Sequence, residues 1–473
     1  MSDGTSDARP RDAMESAPDA VRATGLGAPK PPVEDLTTSV RFLPLFLVQA
    51  LGAFNDNVFK NAFIALLTFR LAAELDMALS ALVAIAAGIF ILPFALFAPY
   101  AGKIADTVDK ARMMRWVKLA EIALMVVGAI AYHLQNITLL YALLFLMGAQ
   151  SAFFAPIKYG VLPQYLRRDE LVRGNGLVQA GTFFAILLGT IIGTNLVLTE
   201  DGVTLTSVAV VLIATAGWVA SLYAPSAPPT AVGADPNALP FALAPLEVVR
   251  VASKSPIAFR TIFAISWFWF VGATYLAALP SLTKEQLGGD ETVLTLLLAA
   301  FSIGVAIGSV ICGKLYRGSV QVGGYAPLAA LGIAVFSLDV MVASSGTPVS
   351  ADALRNVNDF LSSVQGWRIL IDFVALATCA GVYLTPLNAV YQSAAPAAER
   401  GRVVACSNMI DSAAMALSAV AIIVLGMMGL ATSGILGLIG GSGFLAAALV
   451  ARWAPESAIG RAALSIWPAR AKR

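Results

Sequence analysis

A chain of 473 residues that is 58% hydrophobic and 13% charged, with a mean hydropathy of +0.79, falls in the polytopic membrane class. A soluble fold would have to bury about a dozen apolar runs, each near the ~20 residues that cross a bilayer. The net charge of +2 says nothing about nucleic acid, and without a basic cluster interleaved with aromatics no nucleic-acid partner is expected.

The chain in order predicts an all-α polytopic membrane protein with twelve spans in two six-helix halves. Residues 1–40, rich in Asp, Ala, Pro, Ser and Gly, are expected to be a disordered tail with no cleavable signal. Six spans follow within 41–224, at about 41–71, 80–102, 113–133, 138–162, 171–198 and 204–224. Residues 225–257 carry too many prolines to span and are read as a linker. The second half, 258–452, places spans at about 258–283, 291–313, 325–344, 367–392, 403–427 and 432–452. A polar stretch fills 345–365, and a basic tail with Ile459, Leu464, Ile466 and Trp467 fills 453–473.

One side of this arrangement collects Lys103, Lys110, Arg112, Arg115, Arg167, Arg168, Arg173, Arg250, Lys254, Arg260, Lys314, Arg317, Arg400 and Arg402; the other has only Arg70, Lys284, Arg355 and Arg368. The positive-inside rule therefore places the rich side and both termini in the cytoplasm. The lone His133 excludes a multi-histidine metal site or a histidine relay, and Thr138 stands where an acyltransferase His-x-x-x-x-Asp motif needs its Asp. Cys312, Cys379 and Cys406 have neither paired nor metal-like spacing and are expected to pack as small apolar residues. No P-loop is present. Neither catalysis nor a cofactor nor a metal is expected.

The chemistry concentrates in the first span, where Phe54-Asn55-Asp56-Asn57-Val58-Phe59-Lys60 interrupts an apolar run. A charge at mid-membrane costs roughly 2.5–3.5 kcal/mol on insertion scales and by default marks a substrate or ion path. Asp56 and Lys60, four apart, share a helix face and could also neutralise one another. Lys158, with no local acid, is the other free cation. Gln179, Asn388 and Asp411 are further polar groups inside apolar runs. The pairs Lys118–Glu121 and Arg368–Asp372 have helical spacing and are expected to be structural.

Short internal matches indicate a duplication. Pro156 aligns with Pro386, Lys158 with Asn388, Gly52-Ala53 with Gly272-Ala273, and Asn55 with Tyr275. The polar site is thus lopsided towards the N-terminal half. Gly189 with Gly193, and Gly304 with Gly308, are small-xxx-small pairs consistent with either plain packing or a sliding contact between halves.

Gly102-Lys103-Ile104-Ala105-Asp106-Thr107-Val108-Asp109-Lys110-Ala111-Arg112 resembles the loop signature of the major facilitator superfamily. The resemblance implies the major facilitator fold and a conformational latch of Gly102, Asp106, Lys110 and Arg112. In that latch Gly102 is expected to allow a tight turn, and Asp106 to accept from an Arg or a helix N-terminus. Asp109, where the family usually has glycine, is expected either to strain the turn or to give it a different shape. Gly313-Lys314-Leu315-Tyr316-Arg317 is a degenerate second copy.

Gly52-Ala53-Phe54-Asn55-Asp56-Asn57, Pro156-Ile157-Lys158-Tyr159-Gly160-Val161-Leu162, Gly174-Asn175-Gly176-Leu177-Val178-Gln179-Ala180 and Ser266-Trp267-Phe268-Trp269-Phe270-Val271-Gly272-Ala273 resemble the lysophospholipid transporter family. The last is similar to the transporter portion of fused lysophospholipid acyltransferases. The resemblance implies alternating-access movement of lysophospholipid, chiefly lysophosphatidylethanolamine, from outer to inner leaflet of a bacterial-type inner membrane. Because the chain ends after the twelfth span, a separate acyltransferase is the partner implied, and a monomer is expected. The site expected on these grounds is Asn55, Asp56, Asn57, Lys60, Lys158, Gln179, Asn388 and Asp411, with Asp56 for the ammonium and Lys158 or Lys60 for the phosphate. A proton-coupled exporter of an amphipathic drug or metabolite, titrating Asp56 or Asp411, is the alternative.

Overall fold

A computed structural model describes residues 35–71, 79–231, 240–315, 324–345 and 354–453. Most of the N-terminal tail, the C-terminal tail, the middle of the linker, and Tyr316 and Arg317 of the second signature lie outside the described residues. The described residues are almost wholly helical: α1 (Leu43–Leu66), α2 (Leu79–Thr107), α3 (Lys110–Leu134), α4 (Ile137–Tyr165), α5 (Leu171–Leu196) and α6 (Gly202–Leu222). These are followed by α7 (Ala244–Ser253), α8 (Pro256–Ser281), α9 (Glu291–Leu315), α10 (Ala326–Ser344), α11 (Val357–Leu361), α12 (Val364–Ala394), α13 (Arg400–Met427), α14 (Thr432–Gly441) and α15 (Gly443–Trp453).

Among the described residues, eleven helical segments are long and apolar enough to cross a membrane. The 24-residue α1 completes twelve in length, but Asn55, Asp56, Asn57, Lys60 and Asn61 dilute its apolar character. Side-chain caps set several starts. Asn136 accepts from the Leu139 amide at 2.9 Å and Ser363 from the Gly366 amide at 3.0 Å, each satisfying a donor the helix leaves free. The twelfth span is broken at Ser442, between α14 and α15, and Trp267 donates to the Ser442 hydroxyl at 2.8 Å.

The packing repeats. In the first half α1 lies on α5, α2 on α4 and α3 on α6; in the second, α8 lies on α13, α9 on α12, and α10 on α14 and α15. The halves meet along α2 with α13 and α5 with α9, the pairing expected of a pseudo-two-fold transporter. Both glycine pairs work inside a half. A Cβ on Gly189 would meet the Phe54 carbonyl at 2.7 Å, and one on Gly193 would strike Val58 of α1. Likewise Gly304 lies against the Val374 carbonyl at 2.7 Å and Gly308 against Thr378 of α12. Neither pair is the inter-half sliding contact; Gly176 against the Ser309 carbonyl and Phe183 on Phe301 occupy that place.

The segment 225–257 contains a helix, α7, with Val248, Val251 and Ala252 buried in the core of the second half. One pairing expected from the sequence is corrected. Arg368 reaches Asp339 on α10, at 3.0 and 2.5 Å, and not Asp372 one turn along its own helix. Interhelical reach decided that pairing, which sequence spacing cannot register.

Candidate functional site

A cavity of about 240 Å³ lies between the halves. From the first half, α2 contributes Ile91 and Phe94, α4 contributes Ala155, Lys158 and Tyr159, and α5 contributes Gln179. From the second come Ile265 and Trp269 of α8, Leu384, Asn388 and Tyr391 of α12, and Ser407, Asn408, Asp411, Ser412 and Met415 of α13. Helical periodicity explains the selection. Positions 155, 158 and 159 share one face of α4, 384, 388 and 391 one face of α12, and 408, 411, 412 and 415 one face of α13.

The polar groups divide by partner. Lys158 lies with its ammonium 4.8 Å from the centre of the Tyr159 ring and forms no ion pair among the described residues. Tyr159 donates to Gln179 Oε1 at 3.3 Å, which leaves Gln179 Nε2 buried without an acceptor; Asn408 Nδ2 is in the same condition. On the α13 face that also carries Asn408, Asp411 accepts from Ser266 at 2.6 Å and Ser407 at 3.1 Å, both from its own half. Asn388 turns its amide back to the Leu384 carbonyl at 3.1 Å. The arrangement therefore brings the Lys158 ammonium and the unpartnered Gln179 amide of the first half to the same cavity as Asn408 and the Asp411 carboxylate of α13, between walls of Ile, Leu, Phe, Trp and Met.

The α1 residues are placed otherwise. Asn55, fully buried, donates to Glu121 Oε1 at 3.0 Å, while Glu121 Oε2 accepts from Lys118 at 2.6 Å and Gln150 at 3.0 Å. Asp56 accepts from Ser151 of α4 at 2.7 Å. Lys60 donates to Asn57 at 3.1 Å rather than joining Asp56, and Asn57 donates to the Ala53 carbonyl at 2.8 Å. None of these four α1 residues lines the cavity. Ser151, however, shares the α4 face of Ala155 and Lys158, about 10 Å from Lys158 along the axis at 1.5 Å per residue. Asp56 thus opens onto that face nearer the end away from the basic loops.

Sequence reading brings Lys158, Gln179, Asn388 and Asp411 to the cavity and misses Asn408 and the two serines holding Asp411. The available signal was spacing: Ser407 and Asn408 stand four and three residues before Asp411, on its face.

At the basic end, Asp106 accepts from the Gly401 amide at 2.6 Å and from the amide and Nε of Arg402, both at 3.2 Å. Its carboxylate thus sits at the N-terminus of α13, where the helix dipole favours an anion. Gly102 is within α2, not in a turn; it serves close approach, since a Cβ there would meet Ala405 at 2.5 Å and the Gly401 carbonyl at 2.6 Å. Lys110 instead faces the linker, donating from its amide to the Ala227 carbonyl at 2.9 Å, and Arg112 enters through its amide, which donates to Asp109 at 2.9 Å. Asp109 is extended (φ −64°) and caps α3 without strain. Burial pushes its carboxyl pKa up, but hydrogen bonds from the Arg112 amide and Ser226 outweigh this and hold it below the usual range.

The family model of the Major Facilitator Superfamily matches residues 45–419. The chain belongs to the Major Facilitator Superfamily. Among curated relatives, lysophospholipid transporter LplT of Enterobacter sp. (strain 638) is 27% identical over 405 residues, covering 84% of this chain and 90% of that protein. Lysophospholipid transporter LplT of Escherichia coli O1:K1 / APEC is 29% identical over 272 residues, covering 57% of this chain and 65% of that protein. Among solved structures, the human organic anion transporter MFSD10 (TETRAN) superposes with a TM-score of 0.68 at 14% identity, over 89% of this chain and 100% of that one. The superfamily transporter FucP, in the outward conformation, gives 0.61 at 14% identity over 87% and 99%. These structures establish the fold.

Proposed function

We propose that this facilitator carries lysophospholipids, with lysophosphatidylethanolamine as the reference substrate, from the outer to the inner leaflet of a bacterial inner membrane. The names of its curated relatives support the class of cargo. The observation that carries the reading is the cavity itself. It sets Lys158, with no ion pair among the described residues, and the donor of Gln179 on the side of the first half, and the carboxylate of Asp411 beside Asn408 on α13, within an apolar wall. A phosphate suits the first group, as a point charge with amide hydrogen bonds. An ammonium suits the second, and a single acyl chain suits the wall.

In this reading Asp56 and Lys60 form an outer polar station on the same route, reached before Lys158. The positive-inside rule places the closed basic end and both termini in the cytoplasm. Release there would supply a separate acyltransferase. The halves rock about the cavity, exposing it to one side at a time.

A proton-coupled exporter is the second reading, favoured by Asp411, a buried carboxylate held by hydroxyls with no cation beside it. Both are tested by following fluorescent lysophosphatidylethanolamine in proteoliposomes with and without a proton gradient. Movement that persists without the gradient and is lost in Lys158→Ala supports the first reading. An immobile lipid overturns it.

A further inference from the structure

The linker between the halves is divided between them. Its first part is fastened to the N-terminal half: Ser226 donates to Asp109 at 2.7 Å, Lys110 to the Ala227 carbonyl at 2.9 Å, and the Thr230 and Ala231 amides to the Asp106 carbonyl at 3.0 and 2.9 Å. Its second part, α7, has its apolar face in the core of the C-terminal half and only two residues between it and α8. Helix α7 therefore travels with that half.

From this position α7 reaches back across the seam. Glu247 Oε2 lies 3.1 Å from Lys103 Nζ of α2, and Glu247 Oε1 lies 3.3 Å from Arg402 of α13. Arg402 in turn holds Asp106 of α2 at 3.2 Å. Lys103, Glu247, Arg402 and Asp106 thus form a chain of alternating charge that crosses between the halves twice. The Lys103 side chain is only 5% exposed, so its pairing is shielded far more than a surface bridge. Just before α7, Phe241 lies against Phe97 and Tyr100 of α2, with ring centres 6.0 and 5.9 Å apart.

We propose that α7 is a gate element of the C-terminal half, which holds the basic end shut through Glu247–Lys103 and Phe241 as a second bolt beside the Asp106 latch. Neither contact survives parting of α2 from α13, so both stabilise only the state closed at this end. A contact made in one state alone shifts the balance between states. Glu399 and Lys254, 2.5 Å apart, also form an ion pair near α7, but both belong to the second half and cross nothing.

Cys406 is a native reporter. It is fully buried on α13, next to Ala405, the residue packed on Gly102. With Cys312 and Cys379 replaced by Ser, the full-length protein in detergent is alkylated with a water-soluble maleimide. Glu247→Gln and Lys103→Met are each expected to raise the Cys406 rate roughly fivefold through the shifted population, with Glu399→Gln at the parental rate. Lys103→Met removes the cross-seam pair from the other side, so the test survives a failure of Glu247→Gln to fold. Parental rates in the folded variants would overturn the proposal, as would an equal rise in Glu399→Gln. No cargo takes part in this readout, so it stands apart from the lipid assay.

Discussion

The polar region around α1 and the cavity between the halves make a useful contrast. Around α1, every charge has company: Glu121 receives Lys118, Asn55 and Gln150, Asp56 receives Ser151, and Lys60 finds Asn57. Around the cavity, Lys158 has no ion pair among the described residues, and Gln179 Nε2 and Asn408 Nδ2 are buried with no acceptor of their own. Membrane charges are tolerated when paired; those kept unpaired beside a cavity are available to a ligand. The more conspicuous polarity in the sequence is thus the more self-contained one in space.

Four substitutions would break or sharpen the contrast. The largest effect is expected from Glu121→Ala, which leaves Lys118, with 2% side-chain exposure, unpaired. Stranding one member of such a pair costs about 3–5 kcal/mol, read as a large drop in thermal midpoint in detergent. An unchanged midpoint would mean that the network does not stabilise the fold.

Lys158→Ala should leave that midpoint in place and slow lysophosphatidylethanolamine flipping by ~10–100-fold, the equivalent of one charge-assisted hydrogen bond. Parental flipping in this variant would remove the cavity as the headgroup site.

Asp411→Asn comes next, with a loss of roughly tenfold for the amine-bearing lipid and little change for lysophosphatidylglycerol, in keeping with one lost ion contact. Equal losses for both lipids would show that Asp411 does not read the amine.

Asp56→Asn keeps an acceptor for Ser151, so only about a twofold slowing is expected, near the net value of a neutral hydrogen bond. Should Asp56→Asn exceed Lys158→Ala, the order of the two regions is reversed and α1 holds the headgroup.

Much of the fold was legible because each span carries its own apolar length, and the basic loops between them punctuate the chain. Asp106 was legible for a similar reason, as its role attaches to a short motif. The partners of Asn55 and Asp56 were not, because Glu121, Gln150 and Ser151 arrive from α3 and α4 and no spacing along α1 announces them. Arg368 went to Asp339 rather than Asp372 for the same reason. Helix α7 hid among prolines: Pro245 stands in its first turn, where a proline costs the helix nothing. Gly102 resembled a turn residue, yet α2 continues through it, and the missing side chain serves the contact with α13 instead.

The glycine contacts inside each half also have a mechanical consequence. With α1 pressed on α5, and α9 on α12, at backbone distance, each half would turn as a stiff lever in the proposed rocking, with the cavity near its fulcrum. Arms of ~20 Å, from helices rising 1.5 Å per residue, convert a turn of about 10° into roughly 3.5 Å of travel at the tips. That travel parts Lys103 from Glu247 outright. Beside the fulcrum the same turn shifts Lys158 and Asp411 by only a fraction of that distance. In that proposed motion a cargo would remain held at the centre while the basic end opens.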